Sequence, residues 1–181
     1  MKRRVVITGL LGLVVACAPR TAISPPPPAP GGVVLSQPAR AIPVDFVLVD
    51  KSERTMTLFG QGVPLRQYQG LQFGDAPFGH KQFEGDERTP EGRYVIDYRN
   101  PDSSYHLSLH ISYPDADDRA FAQSHGRSPG GQIFIHGQPN GYPAGARVPG
   151  DWTDGCIAMA NGEIEELWTL IADGTAIEIR Q

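Results

Sequence analysis

From Val44 onward apolar residues alternate with polar or small ones: Val44, Phe46 and Leu48, then Met56 and Leu58. Alternation of period two is the mark of a strand with one face buried. The pattern is interrupted at Lys51-Ser52-Glu53 and again at Gly60-Gln61-Gly62, which reads as successive hairpins. Further short strands are predicted around residues 63–71, 92–98, 107–113 and 132–136, separated by Gly, Pro and Asp turns, with a last strand over 175–180. One segment changes period. Ile164, Leu167, Trp168 and Ile171 fall at i, i+3, i+4 and i+7, a core-facing helical stripe with Asn161 as predicted N-cap, Glu163 in the first turn and Gly174 as C-terminal stop. The expectation is a mainly β domain of mixed, largely antiparallel strands with one principal C-terminal helix.

Composition agrees with that picture. In 181 residues there are 21 glycines and 17 prolines, too many turn formers for a helical bundle. The chain is 40% hydrophobic and 20% charged, ordinary for a soluble globular domain, and its length suits one such domain plus appendages. A formal charge of −4 provides no broad basic surface to neutralise phosphates, so nucleic acid is not an expected partner.

The first 43 residues have a different character. Met1-Lys2-Arg3-Arg4 precedes an uncharged apolar run, Val5 to Ala16, and then Cys17. As a helix that run spans only about 18 Å against a hydrocarbon core of about 30 Å, so it reads as a signal peptide over residues 1–16 rather than a membrane span. Val14-Val15-Ala16-Cys17 resembles a bacterial lipobox, which implies lipidation of Cys17 and membrane attachment through that N-terminal lipid. Ala18 stands where an Asp would resemble an inner-membrane retention signal, so the expected location is the periplasm, anchored to the outer membrane of a Gram-negative bacterium. Residues 17–43 carry eight prolines and few charges, the composition of an extended tether reaching roughly 80 Å. The folded domain is therefore expected over residues 44–181. Loss of Lys2, Arg3 and Arg4 with the signal leaves the mature chain more acidic than the precursor.

Lipidation of Cys17 would leave Cys156 the lone thiol of an exported protein, where thiols usually pair, and this directs attention to its surroundings. Cys156, within Thr153-Asp154-Gly155-Cys156-Ile157, lies twenty residues after His136, which ends the apolar run Ile133-Phe134-Ile135 and is followed by Gly137. The intervening loop, Gly137–Trp152, is rich in Gly and Pro and is expected to fold back and bring imidazole to thiol. Cys with His supplies a nucleophile and a base for acyl transfer, since an adjacent imidazole depresses the thiol pKa toward the thiolate. A zinc site is the competing chemistry. His106 and His110, four apart on a strand, do not make a joint ligand pair, and no ligand spacing is evident. His110 shares a strand face with Ser108 and Ser112 and is read as solvated.

His136-Gly137, with sixteen residues from Gly137 to Trp152, then Thr153-x-Gly155-Cys156-Ile157 with Met159 and Asn161 resembles the signature of the L,D-transpeptidases with the YkuD catalytic domain. Upstream, Gly85-Asp86-x-x-Thr89-Pro90-Glu91-Gly92-x-Tyr94 and Ile111-Ser112-Tyr113-Pro114 resemble that family too, and the likeness covers about Val44 to Ile179. It implies a YkuD-like β-sandwich, peptidoglycan stem peptides as substrate, and no metal or organic cofactor. Cys156 would be the nucleophile and His136 the base. The imidazole would be oriented by the Gly137 carbonyl or the Thr153 hydroxyl, and the oxyanion bound by the N–H of Cys156 with that of Gly155 or a near neighbour. Tyr113, Trp152 and Arg147 are candidate substrate contacts.

The acyl-enzyme would form at the diaminopimelate–D-alanine bond and pass to an amine, giving a 3→3 crosslink, to a lysine of a wall-attached lipoprotein, or to water. A non-catalytic wall-binding lipoprotein is the rival of another class. The usual Arg of the motif is Ala158 here, and restoring it is expected to raise donor use unless Arg147 fills the role.

Overall fold

A computed structural model describes residues 42–181. The predicted signal peptide, Cys17 and nearly all of the tether lie outside the described residues, and no described helix is long and apolar enough to cross a membrane. The strands are β1 (Phe46–Asp50), β2 (Thr55–Gly60), β3 (Val63–Gln69), β4 (Gly92–Asn100), β5 (Ser108–Ile111), β6 (Ile133–His136), β7 (Ile157–Ala158) and β8 (Thr175–Arg180), with helices α1 (Ala116–Ser124) and α2 (Asn161–Leu170).

All eight strands join one sheet in the order β3-β2-β1-β8-β4-β5-β6-β7. Pairings are antiparallel except β1 with β8 and β6 with β7, the mixed but largely antiparallel arrangement expected. Buried side chains from both ends of this order, Tyr68 of β3 and Ile157 of β7, belong to a single core cluster with Val47, Ile96, Ile135 and Ile177, so the sheet wraps around one core. Along β2 the predicted Met56 and Leu58 face the core, but along β1 the fully buried residues are Val47 and Val49, with Phe46 and Leu48 only half-buried, so the inward face of β1 is the alternate of the one read from the sequence because both of its faces are apolar.

The helix α2 buries Ile164, Leu167 and Ile171, with Trp168 packed at the margin. Its ends depart from expectation. Ala160 is the N-cap, and the carboxylate of Glu163 accepts from the Ala160 N–H at 3.0 Å, supplying the first turn from within. Asn161 is drawn away to the loop described below. The helix stops at Ile171, and Gly174, at φ +93°, serves instead to turn the chain into β8.

The helix α1 is a second, unexpected one. It has almost no apolar stripe, since only Asp118 and Ala122 are buried, so a search for periodicity passes over it. Its signal lies in the cap: Asp115 accepts from the N–H groups of Asp117 and Asp118, and Asp118 accepts in return from that of Asp115. Asp118 also accepts from the Tyr94 hydroxyl at 3.1 Å and pairs with His80 Nε2 at 2.9 Å, which ties the start of α1 to β4.

Candidate active site

His136 stands at the end of β6 and is 3% exposed. Its Nδ1 lies 2.7 Å from the Gly137 carbonyl, which only accepts, so Nδ1 carries the proton and Nε2 keeps its lone pair. Of the two orienting groups considered, the Gly137 carbonyl makes this contact. The ring is also held by aromatics: Tyr105 stacks on it at 4.7 Å between centroids and Trp152 meets it edge-on at 5.6 Å. Burial pulls its pKa down to about 4, the Gly137 carbonyl opposing, so the imidazole is neutral at pH 7.

Cys156 precedes β7. Its Sγ receives the Phe134 N–H at 3.4 Å and donates to the Gln132 carbonyl at 3.6 Å. Burial pushes the thiol up to about 11; the Phe134 N–H and Lys81 pull it down, and Asp154 pushes it up. The expectation of a thiolate depressed by its histidine is therefore corrected. The resting pair is a thiol and a neutral imidazole, because His136 is buried and the sulfur of the half-buried Cys156 is bonded to the backbone of Phe134 and Gln132.

Thr153 braces this turn rather than the histidine, donating to the Cys156 carbonyl at 2.8 Å and receiving the Gly155 N–H at 3.3 Å. With that N–H engaged, Gly155 acts by its shape. At φ +125° a Cβ here would meet the Arg88 carbonyl at 2.4 Å, so only glycine lets the cysteine turn close against the Gly85–Thr89 segment.

The loop from Gly137 to Trp152 is held by buried amides. Asn161 Oδ1 accepts from the Gln138 N–H at 2.7 Å and its Nδ2 donates to the Tyr142 carbonyl at 3.0 Å. Gln138, fully buried, donates to Gln72 and to the Met159 carbonyl and accepts from the Val148 N–H. Asp151 is clamped by two bonds from Arg54, both at 2.7 Å, and also accepts from the Phe73 N–H. The loop thereby returns Trp152 to the imidazole.

His136 and Cys156 open into one cleft of about 820 Å³, shared with Tyr105, Trp152 and Thr153 and walled by segments around Lys81–Glu87 and Ser128–Ile133. A smaller recess of about 270 Å³, lined by Ser103, Ser104 and Phe134, shares Tyr105, Gln132, His136 and Cys156 with it. Two of the candidate substrate residues lie elsewhere. Tyr113 is 2% exposed in the core, its hydroxyl donating to the Pro129 carbonyl at 2.9 Å. Arg147 is bonded to Glu163 at 2.5 Å and to the Gln69 carbonyl at 3.2 Å, outside the cleft lining.

Ala158 is fully buried in β7 and lines neither the cleft nor the recess beside it, so an arginine there would start from a buried position. His110 is not solvated; it pairs with Asp97 at 2.6 Å and stacks on Tyr98 at 4.3 Å. His106 instead meets Glu165 at 2.7 Å, so these two histidines reach different carboxylates. Tyr105, Gln132 and Lys81 are the cleft residues that motif reading passes over.

The YkuD L,D-transpeptidase catalytic domain model matches residues 45–179. YafK of Escherichia coli (strain K12) is 30% identical over 131 residues, which is 70% of this chain and 46% of YafK. The helical cell shape determining protein Pgp2 from Campylobacter jejuni superposes with a TM-score of 0.60 at 26% identity, covering 76% of this chain and 48% of Pgp2. Bd1075 of Bdellovibrio bacteriovorus superposes at 0.54 with 25% identity, covering 78% and 49%. The chain thus spans about half the length of these relatives. The L,D-transpeptidase of Xylanimonas cellulosilytica, 13% identical with a TM-score of 0.52 over 78% of this chain and 63% of that one, shares the fold. With the cysteine turn, the histidine strand and the upstream Gly-Asp segment all within the matched span, the chain belongs to the YkuD L,D-transpeptidase catalytic-domain family.

Proposed function

We propose that this protein is a peptidoglycan L,D-transpeptidase that acylates Cys156 with the stem tetrapeptide and passes the acyl group to an amine. The supporting observation is the tautomer of His136: with Nδ1–H given to the Gly137 carbonyl, Nε2 is a proton acceptor in the cleft that also holds the thiol.

In this reaction Nε2 takes the Sγ proton as sulfur attacks the carbonyl of the diaminopimelate–D-alanine bond. The oxyanion forms against the backbone N–H of Cys156, a contact of the kind worth about 3–4 kcal/mol in a transition state. The imidazolium then protonates the departing D-alanine amine, leaving a thioester and a neutral imidazole. An incoming amine gives its proton to Nε2 as it attacks the thioester, and as the intermediate collapses and expels the thiolate the imidazolium returns that proton to sulfur. One amide is broken and one formed, with no net redox change.

Mass analysis after incubation with disaccharide-tetrapeptide tests this. A dimer lacking one D-alanine is expected, and a tripeptide would make water the acceptor. A peptide that binds without chemistry would make the protein a wall-binding module. Cys156→Ala and His136→Ala are each expected to lower turnover at least about 10³-fold, since nucleophile and base act as a unit. Unchanged turnover in Cys156→Ala would overturn the mechanism.

We also propose, on the sequence alone, that Cys17 carries the lipid and that the domain works in the periplasm from the outer membrane. A lysine of another lipoprotein is a second acceptor compatible with that location. Fractionation of Cys17→Ser tests the anchor, which fails if the cleaved mutant stays with the membrane.

A further inference from the structure

The departure at Ala158 leaves a question that the cleft itself answers. A stem peptide is anionic, yet the two cations that sequence reading offers for it are excluded: position 158 is a buried alanine, and Arg147 is held by Glu163 outside the cleft. Among the described residues lining the cleft there is one Lys or Arg, Lys81.

Lys81 is 3% exposed, far more buried than a lysine usually is. Its Nζ donates to Asp86 Oδ1 at 2.9 Å, its one hydrogen bond among the described residues, although an ammonium has three donors. The dependence between the two is unequal. Asp86 also accepts from the N–H groups of Gln82 at 2.7 Å, Phe83 at 3.0 Å and Arg88 at 3.2 Å, so its loop is held without the lysine. The other charged groups lining the cleft are Glu84, Glu87 and Asp154, with Glu84 and Asp154 exposed at its edge. They disfavour a ligand carboxylate in their own neighbourhood, so the buried ammonium is the lining group that would hold one and fix its register.

We propose that Lys81 is the specificity-determining residue for the acyl donor, taking a free carboxylate of the peptide on the Nζ donors that Asp86 leaves unused. The inference rests on the proposed acyl-transfer function and deepens it by naming the substrate class: a peptide with a free carboxylate near the scissile carbonyl, rather than an amidated one. A stem tetrapeptide has two such groups flanking the scissile bond, the diaminopimelate side-chain carboxylate and the D-alanine terminus, besides the carboxylate of the preceding γ-linked glutamate, and the two present the same chemistry.

The test is calorimetry on the mature chain with Cys156→Ala, which separates binding from turnover. Three tetrapeptides are compared: the free acid, the diaminopimelate carboxamide and the C-terminal carboxamide. The free acid is expected to bind about 10–100-fold tighter than one of the two amides, and which amide is the weak one identifies the carboxylate. Adding Lys81→Met should weaken the free acid by that factor while leaving the weak amide unchanged, and Lys81→Arg should restore the preference.

Equal weakening of all three peptides by Lys81→Met would make the lysine a structural prop and overturn the proposal. So would equal affinity for all three in the parent, or no binding of any. Binding that depends on Lys81, together with no turnover by the unmutated chain, would leave the carboxylate contact at Lys81 standing and remove the acyl-transfer reading.

Discussion

Tyr105 lies over the imidazole of His136, their rings 4.7 Å apart and 29° from parallel. The contact is held from the backbone, since the Gly137 N–H donates to the Tyr105 carbonyl at 3.0 Å. Tyr105 is itself half exposed, so it forms the wall between the base and water. Tyr105→Ala should admit water to the ring and lessen the desolvation that holds His136 near pKa 4. The acid limb of kcat/KM is expected to move up by about 1 unit, a modest part of the several units burial can impose. An unmoved limb would show that Trp152 and the strand bury the ring unaided.

The neutral resting pair makes a prediction about Cys156 as a reagent. With its thiol raised to about 11, roughly two units above an ordinary thiol, the thiolate fraction near pH 7 is about 100-fold lower. Alkylation by iodoacetamide should be correspondingly slow at pH 7 and climb about tenfold per pH unit toward 11. A rate that is fast and flat from pH 6 would mean a resting thiolate, contrary to the Gln132 and Phe134 contacts at the sulfur.

Stability should carry the mark of His136 in a window of its own. Its folded pKa, about 4, lies below the ordinary 6.5, so on acidification the unfolded chain takes up the proton first. The contribution is complete above pH 6.5 and is lost as pH falls toward 4, amounting to about 3 kcal/mol. Asp86 and Asp151 behave differently. Backbone N–H groups and Lys81 lower Asp86 against its burial, and Arg54 lowers Asp151, so what they add persists above about pH 4 and is lost below it. Chemical denaturation at pH 7 and pH 4.5 should show a large drop for the parent chain and a much smaller one for His136→Asn. Equal drops would place the acid sensitivity elsewhere.

The parts of this molecule that a sequence reader reaches are those encoded locally. Glycine turns mark the hairpins and alternation gives the inward face of β2, though on β1 it picks Phe46 and Leu48 where Val47 and Val49 face the core; the spacing of His136 to Cys156 marks the candidate site before any fold is known. Helix α1 escapes periodicity because it buries little, although Asp115 and Asp118 announce its cap. The error at Asn161 is of another kind. An asparagine before an apolar stripe has the chemistry of a cap, but here its amide is taken by Gln138 and Tyr142, a competition only the tertiary structure reveals. Tyr105 and Lys81 have no local signal at all, since they reach the cleft from segments 31 and 55 residues upstream of His136.

Ala158 reverses an expectation drawn from the motif. In the parallel register of β6 and β7 it is paired with His136, so its side chain leaves the sheet on the same side as the imidazole. Its N–H donates to the Gln72 carbonyl at 2.8 Å and its carbonyl accepts from the Gln72 N–H at 3.0 Å, so the strand cannot shift to make room. Ile157 and Met159 on either side are fully buried as well. An arginine placed here would put an unpaired charge and several extra methylenes into a closed space beside the base, at a cost of about 3–5 kcal/mol. Ala158→Arg should therefore lower the melting temperature and reduce kcat/KM on free tetrapeptide, not raise it. A variant with unchanged stability and improved donor use would show that this corner opens to the cleft and that an arginine there can reach a substrate carboxylate.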